Sequence, residues 1–319
     1  MSGVLNFVTS TPAVLAQTVV KRVVDTSRGV VGVCGAAALV TLWQTFFWLE
    51  TVPPVTKIAY GALTALCAAQ PTTGLLVVAG LAPLGGPIGG LLGAVPGRGA
   101  ETIVLAFLVG WASHILVRRR RFWDSTDGLQ SAAVLLGWVV VASLVVAELV
   151  AQARTGPPGD YFRRLLLSTT TTYLADLNPS LQHVYAAAHL LEGLVLLVAV
   201  ILLSRQSREL PTRIAGMAVA AAAGAATLSC VRLAMGVLRA PDHAEFLKKA
   251  LTSIRLSFHV SDLNAAGSHF AMISVIAFGF VLAGRRARSV WLAASGLLLA
   301  GLWLTGSRSA LAALVIAGL

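Results

Sequence analysis

This 319-residue chain reads as an all-α protein, a polytopic transmembrane helical bundle of about ten spans with its last span incomplete and its N-terminus cytoplasmic. Three observations support that reading. Hydrophobic residues make up 57% of the chain and charged residues 12%, against roughly a quarter charged in soluble domains. Mean hydropathy is +0.82, more apolar surface than a water-soluble fold can bury. Apolar windows long enough to approach the roughly 20 residues that a spanning helix needs recur from Val30 to the end of the chain.

Taken in order, residues 1–28 form a cytoplasmic lead-in whose Lys21, Arg22 and Arg28 precede a long apolar run. No small-residue cleavage site follows, so that run is expected to stay as the first span, 29–49, rather than to be removed as a signal peptide. The second and third spans, 57–70 and 72–93, are separated by a Gln-Pro-Thr-Thr stretch. The second is short and the third carries "LAPLGGPIGGLLG", so either could be tilted, broken or re-entrant, which is tolerated where protein or water satisfies the freed backbone groups. Further spans are expected at 101–117, 131–150, 184–203, 213–238, 262–283, 289–305 and from 309 onward, the last needing further residues to cross a bilayer. The transmembrane domain thus covers 29–319.

Basic residues orient the bundle, because Lys and Arg in short loops stay cytoplasmic. "RRRR" at 118–121, "SRQSRELPTR" at 204–213 and "GRRARS" at 284–289 are separated by even numbers of spans, and the basic N-terminus falls on the same side. The net charge of +11 is therefore a topological signal and not a nucleic-acid footprint. The longer loops 151–183 and 239–261 lie outside, with Asp160, Asp242 and Glu245 among their basic residues. "DYFRRLLL" in the first suits a segment lying in the lipid interface, or a plain loop helix. Cys34, Cys67 and Cys230 all fall in apolar stretches and read as small core residues.

Charge at membrane depth is expensive, so each such residue is a functional suspect. Arg308 sits in "LTGSRSALAAL", a small-polar break between apolar spans that also holds Ser307. Arg255 opens "RLSFHVSDLNAAGSHFAM", which enters the eighth span through Ser261, Asp262, Asn264 and Gly267. Arg232 lies near the outer end of the seventh span. Guanidiniums converging on one outward cavity would suit a diphosphate, since Arg presents a rigid fork of donors and stays charged. The alternative is that each Arg snorkels to headgroups or pairs with an acid. Ser261 or Asp262 could cap a helix whose first N–H groups meet an anion, and Gly267 would admit a neighbouring helix or a ligand.

The histidines give no metal spacing: His183 and His189 are six residues apart, His259 and His269 ten. His259 is the one candidate base, while Glu148 and Glu192 belong to no carboxylate pair. No phosphate-cradling loop or nucleophile elbow is present, and no metal or cofactor is expected.

"RLSFHVSDLNAAGSHFAM", followed after one helix by "LTGSRSALAAL", resembles the O-antigen ligase and polymerase family of membrane glycosyltransferases. The first motif looks like that family's outer-loop Arg with an Asn-Ala/Gly helix start, the second like its Gly-Ser-Arg-Gly/Ser-Ala turn. The Pro/Gly-rich third span and the Glu-headed fourth ending in a basic cluster are also similar, so the likeness is loose over most of the chain and motif-specific over 255–319. It implies transfer of a glycan from an undecaprenyl-diphosphate carrier to an acceptor, whether glycan, lipid or protein, on the periplasmic side of a bacterial inner membrane. Neither metal nor nucleotide sugar would take part, and the partners would be membrane lipids and no nucleic acid. By the same likeness Arg255 and Arg308 engage the lipid diphosphate, and Asn264 and Gly267 match the helix-start motif. The family also carries a later periplasmic loop with a His that activates the acceptor, and nothing here matches it. A transporter, built around the broken third span, and a noncatalytic scaffold are the rival classes.

Overall fold

The computed structural model describes residues 53–91, 99–118, 128–155, 182–252, 255–257, 263–284 and 288–318, and among these it is helical without strands. The helices are α1 (Pro54–Ala69), α2 (Pro71–Leu81), α3 (Gly85–Leu91), α4 (Gly99–Arg118), α5 (Gly128–Thr155), α6 (Gln182–Ser204), α7 (Leu210–Arg239), α8 (His243–Thr252), α9 (Leu263–Leu282), α10 (Arg288–Thr305) and α11 (Arg308–Gly318). A 3₁₀ turn, Ala82–Leu84, links α2 to α3. The lead-in 1–28, the first expected span 29–49 and "DYFRRLLL" lie outside the described residues.

Among the described residues four stretches are long and apolar enough to cross a membrane: Pro71–Gly89, Leu210–Arg239, Leu263–Leu282 and Arg288–Thr305. Between 28% and 44% of each apolar window is buried inside the protein, so most of each apolar surface faces outward. Leu282 is 84% exposed, Ile316 72% and Met272 59%, on helices that bury other faces. In water such a surface would be an aggregation hazard; in hydrocarbon it is the solvated face. Helix hydroxyls are satisfied locally, as that medium demands: Ser229 donates to the Ala225 carbonyl, Ser274 to Phe270 and Ser295 to Trp291.

The chain divides into two compact units, 118–201 with the N-terminal residues forming one and 49–117 with 202–319 the other. In the first, α5 approaches α6 at Gly137, where a Cβ would stand 3.9 Å from Leu191 and Leu194. In the second, α1 and α2 fold back on each other at Gln70, between Ala69 and the helix-starting Pro71. A Cβ at Gly74 would lie 2.9 Å from the Cys67 Cα; on a continuous helix residues seven apart are separated by about 10 Å. Cys67 is fully buried in this hairpin, which α4 crosses at Gly110. His114 then meets the Ala68 carbonyl through Nδ1 at 2.7 Å, near the end of α1. In the Pro/Gly-rich span the helix tightens to a 3₁₀ turn at Ala82–Leu84, with right-handed helical backbone on both sides. Gly85 and Gly99 touch backbone to backbone, so the start of α3 and the start of α4 meet at one point.

Around α7, α9 and α10 the core is made of small residues. Ala222, Ala225, Ala226, Phe270, Ala277, Leu298 and Leu302 are fully buried. Gly216 faces Trp291 and Gly301 faces Ala226, which sets α7 and α10 parallel. Gly301 also faces Phe270, and Phe280 stacks on Trp291 with centroids 4.6 Å apart, so α9 runs antiparallel to α10. The Arg205–Arg213 loop and the turn at Gly284 therefore share one end of this group, and the segment after α7 shares the other end with the α10–α11 turn. The expected loop 239–261 is not wholly irregular: it holds α8, capped by the Asp242 carboxylate accepting the Glu245 N–H at 2.9 Å, and folded back so that Phe246 covers Gly236.

Candidate functional site

The site is built on the turn Thr305-Gly306-Ser307 between α10 and α11. Helix α10 stops because Gly306 takes φ of 63°, the left-handed region that a glycine enters without steric cost, and its N–H donates to the Trp303 carbonyl. One residue on, the Ser307 carbonyl accepts the Leu311 N–H and opens α11. Two helices thus abut with Arg308 on the first turn of the second. The N–H groups of Arg308, Ser309 and Ala310 precede the first intrahelical bond, so that end carries partial positive charge.

Arg255 is held against this turn by backbone and by side chain. The Leu256 N–H donates to the Leu304 carbonyl at 2.8 Å, occupying one of the acceptors that a helix end leaves over. The Arg255 side chain then lies across Gly306: a Cβ there would stand 3.0 Å from Arg255 Cγ and 3.1 Å from Nε. Arg255 and Arg308 are both exposed, and among the described residues neither takes an ion pair or a hydrogen bond. The ion pairs of Arg213 with Glu209 and of Lys249 with Glu245 are on other elements. Two cations gathered at a helix start, with no carboxylate beside them among the described residues, make a corner suited to an anion with several oxygens.

Beneath the corner, α9 supplies the support. A Cβ at Gly267 would lie 2.5 Å from Ser307 Cβ and 3.0 Å from Thr305 Oγ1. Of the two approaches that glycine could permit, the neighbour is the α10–α11 turn. Ser307 is 1% exposed, and its hydroxyl meets Ser309 Oγ at 3.3 Å. Its place is therefore inside the turn, shaping it, and not on the open face. Thr305 is fully buried, donating to Leu302 and receiving the Ser307 N–H.

Of the expected site residues, Arg255, Gly267, Ser307 and Arg308 come together. Asn264 is exposed one turn before Gly267 on the same side of α9. Arg232 is exposed on α7, six residues past the Ala226 that meets Gly301, which at 3.6 residues per turn sets it about 120° off that face. Asp262, Ser261 and His259 lie outside the described residues. Sequence reasoning included Gly306 in the Gly-Ser-Arg turn but gave neither it nor Thr305 a role, although a glycine directly before a serine and a new helix is a terminator signal. Among the described residues no group of three His, Cys, Asp or Glu side chains could hold a metal ion. Compared with protein-family models, curated proteins and solved structures, the chain finds no match in any of the three.

Proposed function

We propose that this chain is a membrane glycosyltransferase of the O-antigen ligase or polymerase type, moving a glycan from an undecaprenyl-diphosphate carrier to an acceptor hydroxyl. The observation that carries the proposal is the side chain of Arg255 lying over Gly306, two residues before Arg308, with no acid beside either cation among the described residues. In the transfer the acceptor oxygen bonds to the anomeric carbon as the bond to the diphosphate breaks. Negative charge then grows on oxygens facing two guanidiniums, where fixed cations help most. Arg255 and Arg308 are the proposed catalytic residues, with Asn264 on the approach and Gly267 and Ser307 setting the turn.

The accompanying topology is about ten spans with a cytoplasmic N-terminus in a bacterial inner membrane. Helix direction supports it: α7 and α10 run together, so the basic loops at 204–213 and 284–289 share one end, and the Arg308 turn is at the other. A transporter for a small or anionic solute is the second reading, favoured by the 3₁₀ turn between α2 and α3.

The test is carrier release in proteoliposomes from an undecaprenyl-diphosphate glycan, with Arg255→Ala and Arg308→Ala alongside. Both variants should insert normally and lose release by a hundredfold or more, as expected when a donor to developing charge is removed. Arg308→Lys should fall with them, because a point charge does not replace a fork. Wild-type release from either alanine variant sinks the assignment, and no release with any acceptor favours the transporter.

A further inference from the structure

Helices α7 and α10 run together, but α7 has 30 residues and α10 has 18, about 45 Å against about 27 Å. The first length matches a bilayer with its headgroup layers, roughly 40–45 Å, and the second the hydrocarbon core alone, about 30 Å. The two are level at Ala226 and Gly301 and end at Arg239 and Thr305, so α7 continues about 13 Å past the Arg308 turn. On that extension α8 is folded back. His243 Nδ1 meets the Val237 carbonyl at 2.7 Å, Phe246 covers Gly236, and Ala250, one turn on and buried, continues the same face. The leucines of this corner stay open, Leu238 at 76% exposure and Leu247 at 42%. Of its charges, the Asp242 carboxylate caps α8 and Glu245 pairs with Lys249, while Arg239 and Lys248 are exposed and take no ion pair among the described residues. Each of these two cations directly follows one of the open leucines.

We infer that the end of α7 and α8 together form an anchor for anionic phospholipid, in which Arg239 and Lys248 receive headgroup phosphates while Leu238 and Leu247 enter the lipid beside them. Charge selects the occupant: the corner's two acids are engaged within α8, and the cations left over are each coupled to an apolar side chain, the pairing that an anionic bilayer surface rewards and a soluble anion does not. Height selects it too, since the length of α7 brings the corner to headgroup level, where long cationic side chains keep their charge in the polar layer and their stems in lipid. Arg255 follows Thr252, the last residue of α8, by three residues, so the anchor ties the arginine corner to the bilayer surface. The inference needs α7 to cross a membrane and is independent of glycan transfer.

The test uses the full chain with Cys34, Cys67 and Cys230 replaced by alanine, reconstituted in vesicles of phosphatidylcholine with or without phosphatidylglycerol. Leu247→Cys and Glu245→Cys, on opposite sides of α8, each carry a fluorescent label. A lipid with a headgroup nitroxide should quench the label at 247, and iodide in the water should quench the label at 245. Phosphatidylglycerol should raise the immersed fraction at 247. In those vesicles Lys248→Gln and Arg239→Gln, both at exposed positions where folding is not at stake, should each lower the ratio of immersed to wet label about fivefold. Equal lipid quenching at the two positions overturns the inference, as does quenching at 247 that ignores both phosphatidylglycerol and the glutamine variants. So does a disulfide between two copies of Leu247→Cys that protects 247 in detergent as well, which would assign the corner to a second copy of the chain.

Discussion

At Gly306 two separate constraints meet in one residue. Its φ of 63° strains any residue with a Cβ, and the space that Cβ would enter is filled by Arg255. Gly284 has nearly the same φ, 61°, with nothing within 4 Å of the same position, and so isolates the first constraint. Gly284→Ala should cost about 1–2 kcal/mol from the left-handed backbone alone. Gly306→Ala should cost that and also displace Arg255, so thermal unfolding should rank it lower, and carrier release should fall at Gly306→Ala while surviving Gly284→Ala. Equal release from the two variants would mean that the position of Arg255 over the turn is of no consequence. The two arginines were legible in the sequence because charge between apolar spans is conspicuous. That Ser307 would be buried was not, because it depends on Gly267, forty residues away in sequence.

Helices were legible for a related reason. Apolar length and Gly/Pro breakers are local, and α4, α5, α6, α7, α9 and α10 each start and stop within a few residues of the expected spans. The helix inside 239–261 escaped notice because His243–Thr252 is short and mostly polar, held by the Asp242 cap and by Phe246 over Gly236. What sequence could not give was which small residues are contacts. Gly301 and Gly296 lie on one helix, yet a Cβ at Gly301 would stand 2.9 Å from Ala226 and 3.1 Å from Phe270, and one at Gly296 meets nothing. Gly301→Ala should therefore force α7 and α9 away from α10 at a cost of about 1–3 kcal/mol. Gly296→Ala should leave stability unchanged or raise it slightly, since alanine is the better helix former. Unfolding in detergent reads both, and an unaffected Gly301→Ala would dismiss close packing as what holds these three helices.

Over the molecule as a whole, the reading depends on direction. If α7 and α10 run outward together, Ser207, before α7, and Thr252, at the end of α8, lie on opposite faces of the membrane. In a background with Cys34, Cys67 and Cys230 replaced by alanine, Thr252→Cys should react with an impermeant maleimide in intact cells, and Ser207→Cys only after the membrane is opened. Labelling of both from the same side would reject the orientation, and with it the placing of Arg308 outside. A charge pattern can propose a topology at all because lipid forbids unpaired backbone and charge alike, leaving a chain few arrangements.

The touching of Gly85 and Gly99 has an evolutionary side. The chain passes this contact twice, at Gly85 and again at Gly99, so added length between them need not be transmitted to α2 or α4. Each doubling of such a loop costs only about 0.6 kcal/mol in closure entropy. The stretch between Leu91 and Gly99 is thus a port, where relatives of this protein could gain or lose whole modules, and where an epitope or a fluorescent domain could be spliced without rebuilding the bundle.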